Sequence, residues 1–264
     1  MCPENISVFT TVGWDGKQGF FAIDEHLKRL SQHAEIANII FNEESENLIK
    51  RQMKKQNFEL NDYDYSNELC KPPGLITIRL EQDGSFLISE RTNEYNIKCK
   101  LINAITVNAP INIKENYGIK FGEHLPYKNA FEIAKENNGN AALLVNEGGI
   151  IDGDRATLMI LDKDGTAWVS SNEYGSINSI TVELIKEELL KKGIPISFGK
   201  ITIDLILRSS DAIMLGTGLG VTRINSIDNR KFEFSNSILF DNVKSILSKL
   251  MKEKWTDLNN VDVI

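Results

Sequence analysis

Apolar residues in this chain come in short alternating or continuous runs broken by Gly and Asp, with three-to-four-residue spacing in only a few segments. Ile6 to Thr11 reads as a strand, Trp14-Asp15-Gly16-Lys17 as a hairpin turn, and Phe20-Phe21-Ala22-Ile23 as the returning strand. Asp24 is placed to cap a helix that carries His26, Arg29, Leu30 and Ala34. Residues 43 to about 67 give a more polar helical stretch followed by an acidic loop. Leu75–Leu80 and Ser85–Ser89 bracket Gln82-Asp83-Gly84, a second hairpin. From Arg91 to Asn96 the chain is polar without apolar periodicity, which predicts a domain boundary, with 1–93 as a small N-terminal part and 94–264 as a larger one.

The second part opens with a strand at Ile102–Val107. Next comes Tyr117-Gly-Ile-Lys120-Phe-Gly-Glu-His124-Leu125, where Leu125, Phe131 and Ile133 take helical spacing. That pattern places Lys120 near a strand end, just ahead of an amphipathic helix starting around Pro126. Ala141–Val145 and Ile150-Ile151 read as paired strands across Asn146-Glu-Gly-Gly149, and Thr157–Leu161 pairs with Thr166–Val169 across Asp162-Lys-Asp-Gly165. A helix from about Ile180 to Lys192 ends at Gly193, Ala212–Leu215 is a buried strand running into Gly216-Thr-Gly-Leu-Gly220, and Ser237–Lys252 is an amphipathic helix. Hairpins mixed with separate helices indicate an α+β architecture in two parts.

Composition narrows the function classes. The 264 residues suffice for a sizeable core, and 41% hydrophobic with 25% charged residues is ordinary for a globular protein. A net charge of −7 argues against nucleic acid as a partner. Cys2, Cys70 and Cys99 form neither a disulfide framework nor a metal spacing, so a cytoplasmic, reducing setting is expected and no metal. No apolar run reaches membrane length, and the first residues lack a signal-peptide pattern.

Four features carry candidate chemistry. Lys120, if desolvated, becomes a neutral amine fit for Schiff-base formation. Asp152 and Asp154 flank Gly153 after a buried strand. Asn178-Ser179-Ile180-Thr181 opens a helix whose free N–H groups suit an anion, and Gly216-Thr217-Gly218 offers backbone N–H groups beside a hydroxyl. Singly each is as well explained by a turn or a cap. Together a lysine, a carboxylate and two anion cradles would hold a phosphorylated aldehyde cofactor, pyridoxal 5′-phosphate (PLP). Gly216-x-Gly-x-Gly220 does not serve as a dinucleotide loop, because the β-rich Val221–Asp228 follows it where a helix is required.

From Phe9 to Asp228 the chain resembles the class IV aminotransferases, the fold-type IV PLP enzymes. These include branched-chain and D-amino-acid aminotransferases and aminodeoxychorismate lyase. The resemblance is carried by Phe9-Thr10-Thr11, His26-Leu-Lys-Arg29-Leu30, Gly118-Ile-Lys120, Asp152-Gly153, Ser179-Ile180-Thr181 and Gly216-Thr217. It implies a small N-terminal α/β domain, a larger barrel-like C-terminal domain and a homodimer. It also implies a Schiff base at Lys120, phosphate contacts from Arg29, Ser179, Ile180, Thr181, Gly216 and Thr217, and pairing of Asp152 with the pyridine nitrogen. The chain departs from the family's pattern at Asp152, where glutamate is usual, at Thr157 in place of asparagine, and at Glu123-His124 in place of Asn-Tyr. His124 and Tyr127 are candidates for the missing tyrosine contact, and the short N-terminus implies that one edge strand of the small domain is absent. The expected activity is transamination of a small-molecule amino substrate. Aminodeoxychorismate lyase is the alternative, on Phe-Thr-Thr, Gly-Ile-Lys and the length; a non-catalytic PLP-binding homologue is a further one.

Overall fold

The computed structural model describes residues 6–55, 70–93, 101–109, 118–122 and 124–260. Cys2, Cys99, Glu123, the expected acidic loop and the far side of the 93/94 boundary lie outside the described residues. In chain order, the first elements are β1 (Ser7–Trp14), β2 (Gly19–Phe21), α1 (Ile23–Ile36), α2 (Glu43–Lys55), β3 (Gly74–Glu81) and β4 (Phe86–Thr92). Then come β5 (Ile102–Asn108), α3 (Leu125–Glu136), β6 (Ala141–Asn146), β7 (Gly149–Gly153), β8 (Thr157–Leu161), β9 (Ala167–Ser170) and α4 (Ile180–Lys191). The chain finishes with β10 (Ile196–Gly199), α5 (Ile203–Arg208), β11 (Asp211–Gly216), β12 (Gly220–Ile227), β13 (Arg230–Lys231), α6 (Ile238–Glu253) and β14 (Trp255–Asp257).

The first sheet has the order β14-β2-β1-β3-β4 and is antiparallel throughout. Alternation gives it two faces. Val8, Val12, Ile76, Ile78 and Leu80 pack against Leu27, Leu30, Ile49 and Met53 of α1 and α2. The other face carries Phe9, Thr11, Thr77, Arg79, Ser89 and Arg91, a polar surface that borders a cavity. The edge expected to lack a strand is completed from the far end of the chain, where β14 pairs β2 with Trp255 opposite Phe21.

The second sheet runs β10-β9-β8-β11-β12-β5-β6-β7, with β13 attached to β12. It curls until its ends meet: the Ile150 N–H of β7 donates to Ile201 O, just past β10, at 2.7 Å. This is the barrel-like form expected of the larger part. Both faces are covered, so all of β8 and nearly all of β11 are buried. Leu189 of α4 and Val243 and Leu247 of α6 join Met159, Ile213 and Leu215 in one core, while α3 lies on β5 and β6.

Two local expectations change. Helix α1 starts at Ile23 after Ala22 in a left-handed conformation, so Asp24 sits in the first turn, 2.9 Å from Lys50 Nζ, and does not cap it. Helix α3 buries Tyr127, Ala130 and Ala134, whereas Leu125 and Ile133 are exposed. Small alanines let α3 approach the sheet closely, and Phe131 is covered instead by the Arg155 guanidinium, 3.4 Å from its ring centroid. Among the described residues, no helix is long and apolar enough to cross a membrane.

Candidate active site

A cavity of about 490 Å³ is lined by both sheets, including the segments 152–157, 177–181 and 215–218. Lys120, Arg29, Asp152, Ser179, Ile180, Thr181, Gly216 and Thr217 all border it. Five separate chain segments therefore bring every sequence-derived candidate to one place.

Lys120 is not at a strand end. β2 is so short that along β1 it reaches only Gly13 and Trp14, which leaves the Ser7–Phe9 edge of β1 open on that side. The 120–122 segment takes that edge. The Phe9 N–H donates to Lys120 O at 3.1 Å, the Gly122 N–H donates to Ser7 O at 2.8 Å, and Phe121 bridges Val8. Gly118, at φ +80°, makes the turn into this segment in a region that disfavours side chains. The Lys120 N–H donates to His33 Nδ1 at 3.3 Å, and Lys120 Nζ lies 5.4 Å from the Phe9 ring centroid. Burial and then the Arg29 guanidinium pull the Lys120 ammonium down to about 7, with Arg91 adding to the effect and Asp152 opposing it.

Asp152 ends β7, 6% exposed. Its Oδ1 accepts from the Gly153 N–H at 2.9 Å and its Oδ2 from the Ile177 N–H at 3.4 Å. The Thr157 hydroxyl also bonds to it, yet burial wins and raises the carboxyl to about 7. Gly153 has to be glycine here, since a Cβ would stand 2.3 Å from Ala156 O. Asp154 is not an open turn residue. At 1% exposure it accepts from the Ala142 N–H at 2.9 Å and pairs with Arg155, a structural anchor for the β6–β7 hairpin.

At the other end of the cavity, hydrogen bonds tie Arg29 to both cradles. Its Nη1 donates to Asn178 O at 2.8 Å and its Nη2 to Thr10 Oγ1 at 2.9 Å. Thr10 Oγ1 lies 2.8 Å from His26 Nδ1, and His26 Nε2 lies 3.5 Å from Thr217 Oγ1. A guanidinium only donates, so Thr10 turns its own proton to Nδ1, and the ring proton of neutral His26 falls on Nε2, facing Thr217. Burial keeps His26 neutral, well below its ordinary pKa. Arg29 remains a cation at neutral pH, lowered by burial to about 10. Ser179 caps α4 by accepting from the Val182 N–H at 3.4 Å, and the first-turn N–H groups of Ile180 and Thr181 lack intrahelical partners by construction.

His124 starts α3 in a left-handed conformation (φ 59°) and stacks on Tyr127 with centroids 4.0 Å apart, edge-on to Phe9 at 5.1 Å. Burial holds its imidazole down at about 3, so it is neutral. Lys128 also borders the cavity, from the exposed side of α3. The sheet-side residues Thr11, Thr77, Arg79, Ser89 and Arg91 were missed as site residues. Their signal was present, since polar residues at every second position of two paired strands mark one face, but such a face is ordinarily the solvated one.

The sequence model of the family described as amino-transferase class IV matches residues 7–227. The chain belongs to the class IV aminotransferases. Members of this family work with PLP. Solved structures share the fold at low identity. One is a branched-chain aminotransferase from Thermoproteus uzoniensis with norvaline, with TM-score 0.77 and 18% identity over 96% of this chain and 90% of that one. A candidate 4-amino-4-deoxychorismate lyase from Legionella pneumophila has TM-score 0.73 and 19% identity over 93% and 91%. A hypothetical aminotransferase from Mycobacterium tuberculosis in its PLP-bound form has TM-score 0.72 and 13% identity over 95% and 93%. No curated protein matches the chain in sequence.

The residues fit PLP. The Arg29 Nε–H is buried without a partner, which leaves the guanidinium a donor for an anion beside Thr217 and the α4 N-terminus. A near-neutral lysine and a buried carboxylate stand on the same cavity, as an aldehyde and a ring nitrogen require.

Proposed function

We propose that the protein is a PLP-dependent aminotransferase in which Lys120 bonds to the cofactor aldehyde. In this reading Arg29, Ser179, Ile180, Thr181, Gly216 and Thr217 surround the phosphate, and Asp152 faces the ring nitrogen. The observation that carries the reading is the gathering of Lys120, Asp152, Arg29 and Thr217 around one cavity, where burial lowers the Lys120 ammonium and raises the Asp152 carboxyl. When bound, the cofactor supplies an aldehyde carbon for amines and a protonated ring that withdraws electron density. A neutral Lys120 Nζ is a nucleophile, and the same nitrogen then takes up and returns a substrate proton. An ionised Asp152 holds a proton at its partner nitrogen. Tyr127 and neutral His124 form a stacked wall beside the lysine.

Aminodeoxychorismate lyase is the second reading, favoured by Phe9 and Thr11 of the Phe-Thr-Thr stretch, which both border the cavity. On the family resemblance we also propose a division into 1–93 and 94–264, a homodimer, and a cytoplasmic location. The test is borohydride reduction of the PLP-loaded protein followed by peptide mapping. The label is expected on Lys120 and is retained in Lys128→Ala; a label on Lys128 would overturn the assignment. Turnover of an amino acid with a keto acid, against aminodeoxychorismate alone, separates the two activities. Loading without either turnover gives the non-catalytic homologue.

A further inference from the structure

We propose that His33 is the positioning residue for Lys120, holding the lysine backbone where its amine meets an aldehyde anchored from the same helix. This rests on the reading of the cavity as a PLP site with Lys120 as its nucleophile.

Three polar residues share one face of α1. His26, Arg29 and His33 are spaced by three and four residues, so they stack along the helix, about 10.5 Å from first to last at 1.5 Å per residue. All three are buried, on the face where an amphipathic helix ordinarily carries apolar side chains. The first two serve the anion end: His26 Nε2 lies 3.5 Å from Thr217 Oγ1, and Arg29 Nη1 donates to Asn178 O. His33, two turns on from His26, serves the amine end, where the Lys120 N–H donates to its Nδ1.

That bond turns the lysine away from the sheet. Phe121 bridges Val8, so Lys120 falls opposite Phe9, and such an antiparallel pair ordinarily exchanges two backbone bonds. The Phe9 N–H does donate to Lys120 O, but the return donor, the Lys120 N–H, goes to His33 instead. Across the segment, Gly118 fits against Asn172, whose amide nitrogen would stand 3.3 Å from an added Cβ. The same amide donates to Asn178 Oδ1 at 2.7 Å. The lysine segment is thus braced against α1 on one side and against the loop that Arg29 holds on the other.

The protonation of the ring suits an acceptor. Burial holds His33 down at about 3, so its imidazole is neutral with a single ring proton. Nδ1 accepts, which puts that proton on Nε2, and Nε2 is buried with no partner among the described residues. An open buried donor costs stability, and an apolar side chain here would avoid it. What that side chain would lose is the acceptor behind Lys120. His33 carries no charge, and the lysine's lowered titration comes from burial, Arg29 and Arg91 against Asp152. The histidine therefore acts on the place of the amine and not on its proton.

The test compares two ligands. PLP can bond to Lys120 Nζ through its aldehyde carbon, with the aldehyde oxygen leaving as water. Pyridoxine 5′-phosphate has an alcohol there and cannot. The ratio of the two affinities in one preparation reads the lysine's placement and is insensitive to the folded fraction. His33→Leu removes the acceptor, whereas in His33→Asn the amide oxygen can stand in for Nδ1. Cofactor-free protein is titrated calorimetrically with each ligand. The expected result is a wild-type preference for PLP that His33→Leu cuts by about tenfold, as for one lost hydrogen bond, and that His33→Asn restores. The Lys120 midpoint in trace acetylation of the cofactor-free protein is expected to stay unchanged in both. His33→Phe, which keeps a ring, takes the place of His33→Leu should the latter not fold. A preference unchanged by loss of the acceptor, no recovery in His33→Asn, or a shifted midpoint overturns the inference and leaves the PLP reading standing. A wild-type protein without preference for PLP overturns both together.

Discussion

In the proposed reading Lys120 has to be deprotonated to act, and its burial favours the neutral amine. At pH 7.5 an amine of pKa about 7 is about three-quarters neutral, against about one part in a thousand at the ordinary value of 10.5. Burial does most of this and Arg29 the next largest part, with Asp152 working in the opposite sense. Arg29→Met is therefore expected to raise the Lys120 midpoint and Asp152→Asn to lower it. Burial raises the Asp152 carboxyl to about 7, so the titrations of Asp152 and Lys120 are coupled. Trace acetylation of the cofactor-free protein from about pH 6 to about pH 11, read by mass spectrometry against a free lysine peptide, measures these midpoints directly. Linkage supplies a second readout. The unfolded chain keeps the lysine proton up to 10.5 while the folded chain releases it near 7, so this group's contribution to stability rises with pH across that window. Lys120→Met is thus expected to stabilise the cofactor-free protein more at pH 6 than at pH 9. A Lys120 midpoint at the ordinary lysine value of about 10.4, or one lowered by Arg29→Met, would refute the reasoning.

Two further predictions concern the anchors. If His26 orients the Thr217 hydroxyl, then Thr217→Val and His26→Phe each weaken PLP binding by about tenfold, as loss of one hydrogen bond does, without changing affinity for pyridoxal, which lacks the phosphate. Their combination should cost little more than either alone, and additive losses would remove the relay. Asp154→Asn should lower stability by about 1–3 kcal/mol in urea unfolding at unchanged m value, because it removes the buried carboxylate that accepts from Arg155 and the Ala142 N–H and puts an amide in its place; an unchanged midpoint would return Asp154 to an ordinary turn.

The sequence was most legible where chemistry and local geometry coincide. Asp15-Gly16 and Asp162–Gly165 gave their hairpins, Ser179 its helix cap, and Lys120, Arg29, Asp152 and Thr217 their common cavity. What it hid was long-range. Nothing in Trp255-Thr256-Asp257 announces that it will pair with Phe21, more than two hundred positions earlier. Nor does a helical apolar pattern distinguish the stripe of Tyr127, Ala130 and Ala134 that packs from the Leu125 and Ile133 that do not. Alternation in Thr77–Arg79 and Ser89–Arg91 was visible, but whether that face meets water or a cavity depends on a second sheet that joins from the other part of the chain.

The departures from the family pattern look different once they are placed in space. Along the sequence, an aspartate for a glutamate, a threonine for an asparagine and a histidine near the lysine read as three separate losses, and three losses favour a protein that has stopped catalysing. In the structure the first two meet. The Thr157 hydroxyl bonds to the Asp152 carboxylate, whose oxygens also receive the Gly153 and Ile177 N–H groups. The third, His124, is no loose replacement either, being locked between Tyr127 and Phe9 at the mouth of the lysine segment. A decaying site accumulates buried polar groups with no partner, because nothing selects for their pairing. Here Asp152 and Thr157 are paired, and the buried unpartnered donors at the anion end and behind the lysine are Arg29 Nε and His33 Nε2. In the proposed reading the Arg29 donor faces the cofactor phosphate. That distribution of paired and open donors is what a working cofactor site requires, and it weighs the three substitutions toward a retuned enzyme over a relic.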